Sequence, residues 1–148
     1  MKEFVTRSAS ETEELGTKIG ACLEQPSLIL LRGDLGAGKT TFTRGLARGL
    51  DLEDTSLVRS PTYTLINHYC ASTGTIYHVD LYRLDSLRDI LSIGLEEILE
   101  QNGIVIVEWG EKLPFDCPKA HTVYIEVLKA ENCRRIHLEG FPDCDEFF

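Results

Sequence analysis

The chain is short of positive charge: 15 Lys and Arg face 24 Asp and Glu, a formal net charge of -9. A surface that holds nucleic acid without sequence preference needs the opposite balance, because its affinity comes from cations that displace counterions along the phosphates. Any role on RNA or DNA is therefore expected to run through a protein partner. Long apolar runs are missing too. No stretch approaches the ~18 consecutive apolar residues of a membrane-spanning helix, and Met1-Lys2-Glu3-Phe4-Val5-Thr6-Arg7 lacks the apolar core of a signal peptide. The cysteines, Cys22, Cys70, Cys117, Cys133 and Cys144, are odd in number and none stands in a C-x-x-C pair. That leaves no zinc spacing and no disulfide framework, so a reducing cytoplasm is the expected compartment. Internal repeats are absent as well. With 148 residues, 43% of them hydrophobic, the chain suits a single globular domain with a sizeable core.

One stretch organises the rest. Gly33-Asp34-Leu35-Gly36-Ala37-Gly38-Lys39-Thr40 fits the P-loop pattern G-x-x-x-x-G-K-[ST]. Before it, Leu28-Ile29-Leu30-Leu31 reads as a buried strand, and after it Phe42, Leu46 and Leu50 recur as on the buried face of a helix. Strand, glycine-rich loop and helix form the context in which this pattern cradles phosphates. Glycines let backbone N–H groups approach phosphate oxygens without side-chain clashes, and the positive end of the helix favours the anion. The run Leu35-Gly36-Ala37-Gly38-Lys39-Thr40-Thr41 is thus the candidate nucleotide-binding segment. Lys39 is expected to reach the β- and γ-phosphates and Thr40 to ligate Mg²⁺.

Along the chain, residues 8–24 read as an amphipathic helix capped by Ser10 with Glu13, its apolar face lined by Leu15, Ile19, Cys22 and Leu23. Beyond the P-loop helix, Asp51 to Arg59 is polar and reads as a loop. Tyr63 to Tyr69 and Thr75 to Val79 read as a hairpin around Ala71-Ser72-Thr73-Gly74. Asp85-Ser86 can cap a helix through Ile93, and Leu95 to Gln101 follows as a second helical segment beyond Gly94. Ile104-Val105-Ile106-Val107 reads as a central strand buried on both faces. His121 to Leu128 and Cys133 to Leu138 alternate like a pair of edge strands. The domain is set at residues 1–138, with 139–148 as an acidic tail that either stays disordered or docks.

A P-loop works with a carboxylate at the end of a neighbouring strand, where it can hold the metal's water shell. Asp80 and Glu108 both stand at strand C-termini, where ligands collect in open α/β sheets. Either could instead cap the next turn. Thr62, in the loop after the P-loop helix, stands where switch loops bring a hydroxyl to the γ-phosphate and Mg²⁺, and a plain turn is the alternative. His78 reads as a packing or capping residue and Trp109 as core.

Four motifs in order carry a resemblance: Gly33 to Thr41, Ser60-Pro61-Thr62-Tyr63-Thr64-Leu65, His78-Val79-Asp80-Leu81-Tyr82-Arg83-Leu84, and Val107-Glu108-Trp109. Together they resemble the bacterial TsaE (YjeE) family of P-loop ATPases, over roughly residues 8–138. The resemblance implies an α/β fold: a three-layer P-loop NTPase whose mostly parallel central sheet carries antiparallel edge strands. It also implies ATP and Mg²⁺ as cofactors, the TsaD and TsaB proteins as partners, and tRNA reached only through them. The resemblance implies that those partners install the modification on the adenosine next to the anticodon, while ATP hydrolysis drives or resets their assembly. On this chain Lys39 and Thr40 become the Walker A pair, Thr62 a switch residue, and Asp80 and Glu108 the catalytic and metal-associated carboxylates. Thr12 is added as a nucleotide contact from the N-terminal segment. Glu111, Lys112, Arg134 and Arg135 are weaker candidates. A stand-alone P-loop small-molecule kinase is the alternative, but no arginine-rich lid segment follows the core. A guanine-reading switch is a third, and lacks an Asn/Thr-Lys-x-Asp stretch.

Overall fold

A computed structural model of the chain describes residues 2–130 and 132–141. Its centre is the apolar run Ile104–Glu108 (β5), buried at every position because it has strands on both sides and helices on both faces. The other strands are β1 (Lys2–Thr6), β2 (Ser27–Arg32), β3 (Ile66–Ala71), β4 (Gly74–Asp80), β6 (His121–Val127) and β7 (Arg134–Glu139). They form one sheet in the order β1-β7-β6-β2-β5-β4-β3. The inner four, β6-β2-β5-β4, run parallel, while β7 and β1 on one flank and β3 on the other are antiparallel.

Helices α1 (Ala9–Ala21) and α2 (Lys39–Gly49) cover one face. There Leu15, Ile19, Phe42 and Leu46 meet Ile29, Leu31, Ile104 and Ile106 of the sheet. The short helices α3 (Leu87–Ser92) and α4 (Leu95–Glu100) cover the other, where Ile90 and Leu95 pack against Leu30, Val79, Val105 and Val107. The result is the three-layer α/β fold expected. Helices α1 and α2 lie unusually close. A Cβ at Gly16 would stand 2.6 Å from the Phe42 carbonyl, and one at Gly45 would collide with that of Glu13. Glycine is the residue that permits this approach, and it joins the N-terminal helix rigidly to the P-loop helix.

Several local expectations need correction. β6 and β7 are interior strands, β6 running parallel beside β2; the edges are β1 and β3. Alternating polarity along β6 arises because only one face of that flank is covered by helices, not because the strand lies at the rim. β1 was not foreseen from a run that opens with Lys2-Glu3. It forms because Phe4 packs on the core and the segment pairs with β7 from Lys2↔Leu138 to Thr6↔Arg134. The α1 cap is Ser8, whose Oγ accepts the Glu11 N–H at 3.0 Å, while the Glu11 carboxylate accepts the Arg7 N–H at 2.6 Å. Glu13, expected in that cap, instead pairs with Arg48 of α2 at 2.5 Å.

β3 begins at Ile66 rather than Tyr63, because Leu65 turns the chain in the left-handed region (φ 69°). β7 runs through Glu139, and Phe141 stacks on His121 with ring centroids 4.7 Å apart, so the first residues of the expected tail join the fold. Residues 142–148, most of that tail, lie outside the described residues. Cys70, Cys117 and Cys133 are free thiols, but Cys22 is disulfide-bonded, which the cysteine spacing gave no reason to expect. Among the described residues no helix is long and apolar enough to cross a membrane.

Candidate functional site

Strand β2 ends at Arg32, and the chain then turns through Gly33 (φ 153°), Gly36 (φ 81°) and Gly38 (φ 112°) before entering α2. Gly38 is the N-cap of that helix, in a left-handed conformation that a side chain would strain. The first-turn N–H groups of an 11-residue helix are therefore aimed at the loop's concavity. Arg134 braces the loop from behind, its Nε donating to the Ala37 carbonyl at 2.8 Å.

Lys39 folds back under the loop. Its Nζ donates to the Gly33 carbonyl at 2.5 Å and the Asp34 carbonyl at 3.0 Å, and stands 4.3 Å from the centroid of the Trp109 ring. Only 5% of Lys39 is exposed. Burial lowers its pKa, and the surrounding carboxylates of Glu108, Glu111, Asp80 and Asp34 pull it part of the way back. A desolvated ammonium at the foot of a ring of N–H donors is poised to gain from an anion.

The carboxylates arrive by strand register. Asp80 lies opposite Glu108 at the C-terminal ends of parallel neighbours β4 and β5. Both are almost wholly buried. The Thr40 hydroxyl lies 3.4 Å and 3.5 Å from the Glu108 carboxylate oxygens. Asp80 turns elsewhere: its Oδ2 accepts the Thr62 hydroxyl at 3.0 Å and the Ser60 hydroxyl at 3.2 Å, and its Oδ1 accepts the Tyr82 N–H at 2.9 Å. The loop before β3 is thereby latched to the end of β4.

These groups line one open cleft of about 420 Å³, bounded by Leu35, Gly36, Gly38, Lys39, Thr40, Thr41, Ser60, Thr62, Asp80, Glu108 and Trp109. Ala37 and Thr12 border an adjoining depression of about 130 Å³, shared with Ser8, Asn132 and Arg134. The Thr12 hydroxyl is engaged there by Thr6 at 2.7 Å. The P-loop residues, Thr62, Asp80, Glu108 and Thr12 thus converge on this end of the sheet. Arg135 does not; it pairs with Glu3 and Glu126 elsewhere on the sheet. Lys112 braces the segment after β4, donating to the Tyr82 carbonyl at 2.8 Å and the Leu84 carbonyl at 3.2 Å.

Among the described residues no cluster of three or more His, Cys, Asp or Glu surrounds a metal position. The donors near Thr40 are hard oxygens and few, a set that suits Mg²⁺, which keeps waters and takes phosphate oxygens for the remainder. Sequence reasoning gave His78 and Trp109 to packing; His78 is indeed buried behind the cleft, while Trp109 packs on the core and also lines the cleft. His78 is fully buried with Nε2 2.5 Å from Glu108. Its signal was the alternation Ile76-His78-Asp80, which sets His78 on the same face of β4 as Asp80. Trp109 takes a left-handed backbone (φ 62°), uncommon for a bulky residue, and lies under Lys39 and beside Tyr82, ring centroids 5.1 Å apart.

The family model described as threonylcarbamoyl adenosine biosynthesis protein TsaE matches residues 6–136. The chain is similar to the tRNA threonylcarbamoyladenosine biosynthesis protein TsaE of Treponema pallidum, 42% identical over 129 residues that cover 86% of this chain and 93% of the relative. It is similar also to the protein of that name from Aquifex aeolicus, 39% identical over 138 residues, 93% of this chain and 96% of the relative. Among solved structures, the crystal structure of Bacillus subtilis YdiB superposes with a TM-score of 0.72 at 29% identity, over 99% of this chain and 93% of that one. With a family model spanning most of its length and relatives of this similarity across nearly all of theirs, the chain belongs to the TsaE family.

Proposed function

We propose that this chain is a Mg²⁺-dependent ATP-binding and ATP-hydrolysing component of the machinery that forms threonylcarbamoyladenosine in tRNA. It acts in the cytoplasm with the TsaD and TsaB proteins and reaches tRNA through them. One observation carries the reading: Lys39 and Thr40, at the start of α2, meet Glu108, Asp80 and Thr62 in a single cleft. The printed names of the relatives support the tRNA-modification role, and the net charge of -9 favours an indirect route to RNA.

In this reading the residues divide the work. The backbone N–H groups of Gly36 and of Gly38 to Thr40 hold phosphate oxygens, while that of Ala37 closes the loop on the Asp34 carbonyl, and Lys39 leaves the Gly33 and Asp34 carbonyls to pair with the phosphates. Thr40 and Glu108 hold Mg²⁺ and its waters. Bound there, Mg²⁺ supplies charge neutralisation on the phosphates. Asp80 holds Thr62 and Ser60 at the mouth of the cleft, so that the loop before β3 can respond to the γ-phosphate. Thr12 and its neighbours border the nucleotide at the side of the loop.

The test is ATP titration with and without Mg²⁺, followed by steady-state hydrolysis alone and with TsaB, TsaD and tRNA. Mg²⁺-dependent binding, and turnover that rises with the partners, supports the reading. Phosphate transfer to a small-molecule acceptor would move the protein to the kinases.

A further inference from the structure

Behind the cleft lies a line of hydrogen bonds that the reading above does not use. His78 is fully buried on β4. Its Nε2 lies 2.5 Å from Glu108 Oε2, and its Nδ1 lies 3.1 Å from the Tyr69 hydroxyl. Tyr69, on edge strand β3 and only 6% exposed, also accepts the Arg59 N–H at 3.4 Å, at the root of the loop that carries Ser60 and Thr62. From the loop backbone to the Thr40 hydroxyl the order is Arg59, Tyr69, His78, Glu108, Thr40.

The donor inventory constrains this line. A carboxylate at Glu108 can only accept, so the proton between it and His78 belongs to Nε2. Thr40 offers its hydroxyl to the same carboxylate. Glu108 therefore receives donors from two sides, and its orientation is set by the ring of His78, itself held by Tyr69. A buried polar group needs such partners to avoid a desolvation penalty, and a carboxylate so held loses rotamer freedom. The register adds a second constraint: His78 lies opposite Ile106 and Asp80 opposite Glu108, so His78 reaches Glu108 diagonally across the two strands.

We infer that His78 and Tyr69 are positioning residues that fix the Glu108 carboxylate toward the Mg²⁺ position and tie it to the backbone of the loop before β3. The inference rests on the proposed Mg²⁺–ATP reading of the cleft. It gives that loop two anchors on the metal side: Ser60 and Thr62 on Asp80, and Arg59 through Tyr69 and His78 on Glu108. Neither positioning residue touches nucleotide. They act through Glu108, in the way that outer partners of metal-bound carboxylates set ligand orientation.

The experiment compares the unaltered protein with His78→Asn, His78→Gln and Tyr69→Phe, and reads the Mg²⁺ concentration for half-maximal change in Trp109 fluorescence at saturating ATP. Asn withdraws the donor from the Nε2 position, whereas the Gln amide can restore it. His78→Asn is expected to raise the Mg²⁺ requirement roughly 10–100-fold, with ATP affinity in the absence of Mg²⁺ unchanged. His78→Gln should recover most of that loss, and Tyr69→Phe should show a smaller shift in the same direction. A second arm needs no nucleotide: imidazole ¹⁵N spectra of the free protein should show a protonated His78 Nε2 whose signals move in Tyr69→Phe and in Glu108→Gln. Spectra blind to both changes, or an Asn and a Gln variant that lose equally, overturn the inference. If the unaltered protein shows no Mg²⁺-dependent response to ATP, the reading of the cleft falls and the inference with it. If it responds and all three variants keep its Mg²⁺ requirement, the inference alone falls.

Discussion

Asp80 and Glu108 stand side by side at the ends of β4 and β5, yet their carboxylates serve different neighbours. Asp80 accepts the Thr62 and Ser60 hydroxyls, while Glu108 faces Thr40 and His78. Strand register brings two acids to one cleft, and their hydrogen bonds give one the loop and the other the P-loop helix. The two roles separate experimentally. Glu108→Gln should leave ATP binding largely intact and impair the Mg²⁺-dependent step. Asp80→Ala should loosen residues 59–65, read as faster amide exchange there. In a double-mutant cycle Asp80→Ala and Thr62→Ala should couple by about 0.5–3 kcal/mol, because they share one hydrogen bond. Strict additivity of that pair would show that the latch holds nothing in solution.

Lys39 illustrates a conflict between stability and function. Its pKa is lowered from 10.5, chiefly by burial, so charging it costs the fold free energy. That cost is fully present below the folded-state pKa. It lifts as pH rises from there toward 10.5, since in that window the unfolded chain binds the proton more tightly than the native one. Lys39→Met should therefore melt no lower than the parent at neutral pH, and any advantage should shrink as the solution becomes alkaline. The same variant should lose the rise in melting temperature that ATP gives the parent. A variant that melts far lower without nucleotide would mean that the bonds to the Gly33 and Asp34 carbonyls outweigh the burial cost.

The contact of α1 with α2 ties the depression beside Thr12 to the phosphate loop. Gly45→Ala places a methyl against the Glu13 carbonyl, so the helices must part. Overpacking of this kind costs roughly 1–3 kcal/mol. Thermal melting measures that loss. ATP affinity should fall as well, because the α1 side of the site moves away from α2. An unchanged melting temperature would show that the helices have room to give.

The glycine loop was legible because it is local: a glycine run between a strand and a helix spells out its own backbone. The two carboxylates were legible for a related reason, since each follows an apolar strand. What was not legible depends on which strands become neighbours. His78 meets Glu108 only because β4 and β5 pair in parallel with Ile106 beside it. Nothing in His78-Val79-Asp80 alone distinguishes a packed imidazole from one that aims a carboxylate. β1 is a strand only through its pairing with β7, and β6 is interior only because β2 lies beside it. In both, tertiary pairing outweighs what the local pattern suggests. Ser60 and Thr62 could be assigned to a loop near the site, but their acceptor, Asp80, is 20 and 18 residues away along the chain.

Trp109 is the only tryptophan, and its ring lies 4.3 Å from Lys39 Nζ. Phosphate binding that draws the ammonium off the ring should change the indole emission with no background from other tryptophans. Lys39→Met should abolish the change. A flat signal at saturating ATP and Mg²⁺ would count against the cleft beside Trp109 as the phosphate site.

The isolated protein is expected to hydrolyse ATP slowly and to accelerate with its partners. The cleft brings together a glycine loop, a lysine and two carboxylates, but among the described residues its lining includes no arginine and no glutamine. Two nearby arginines are occupied otherwise: Arg134 supports the Ala37 carbonyl, and Arg83 lies over the Tyr63 ring at 4.8 Å. In P-loop enzymes an arginine from a second protein can raise turnover by about 10³–10⁵-fold through the charge that develops on the transferring phosphate. The cleft opens beside Leu35 and Tyr63, which are 71% and 84% exposed, so a partner seated on its rim would cover apolar surface and exclude water from the phosphates together. Turnover measured alone, and then with TsaB, TsaD and tRNA, tests this directly. Tyr63→Ser should reduce the partner-dependent increment while sparing the slow rate of the protein alone. Vigorous turnover by the protein alone would show that the described cleft is already complete.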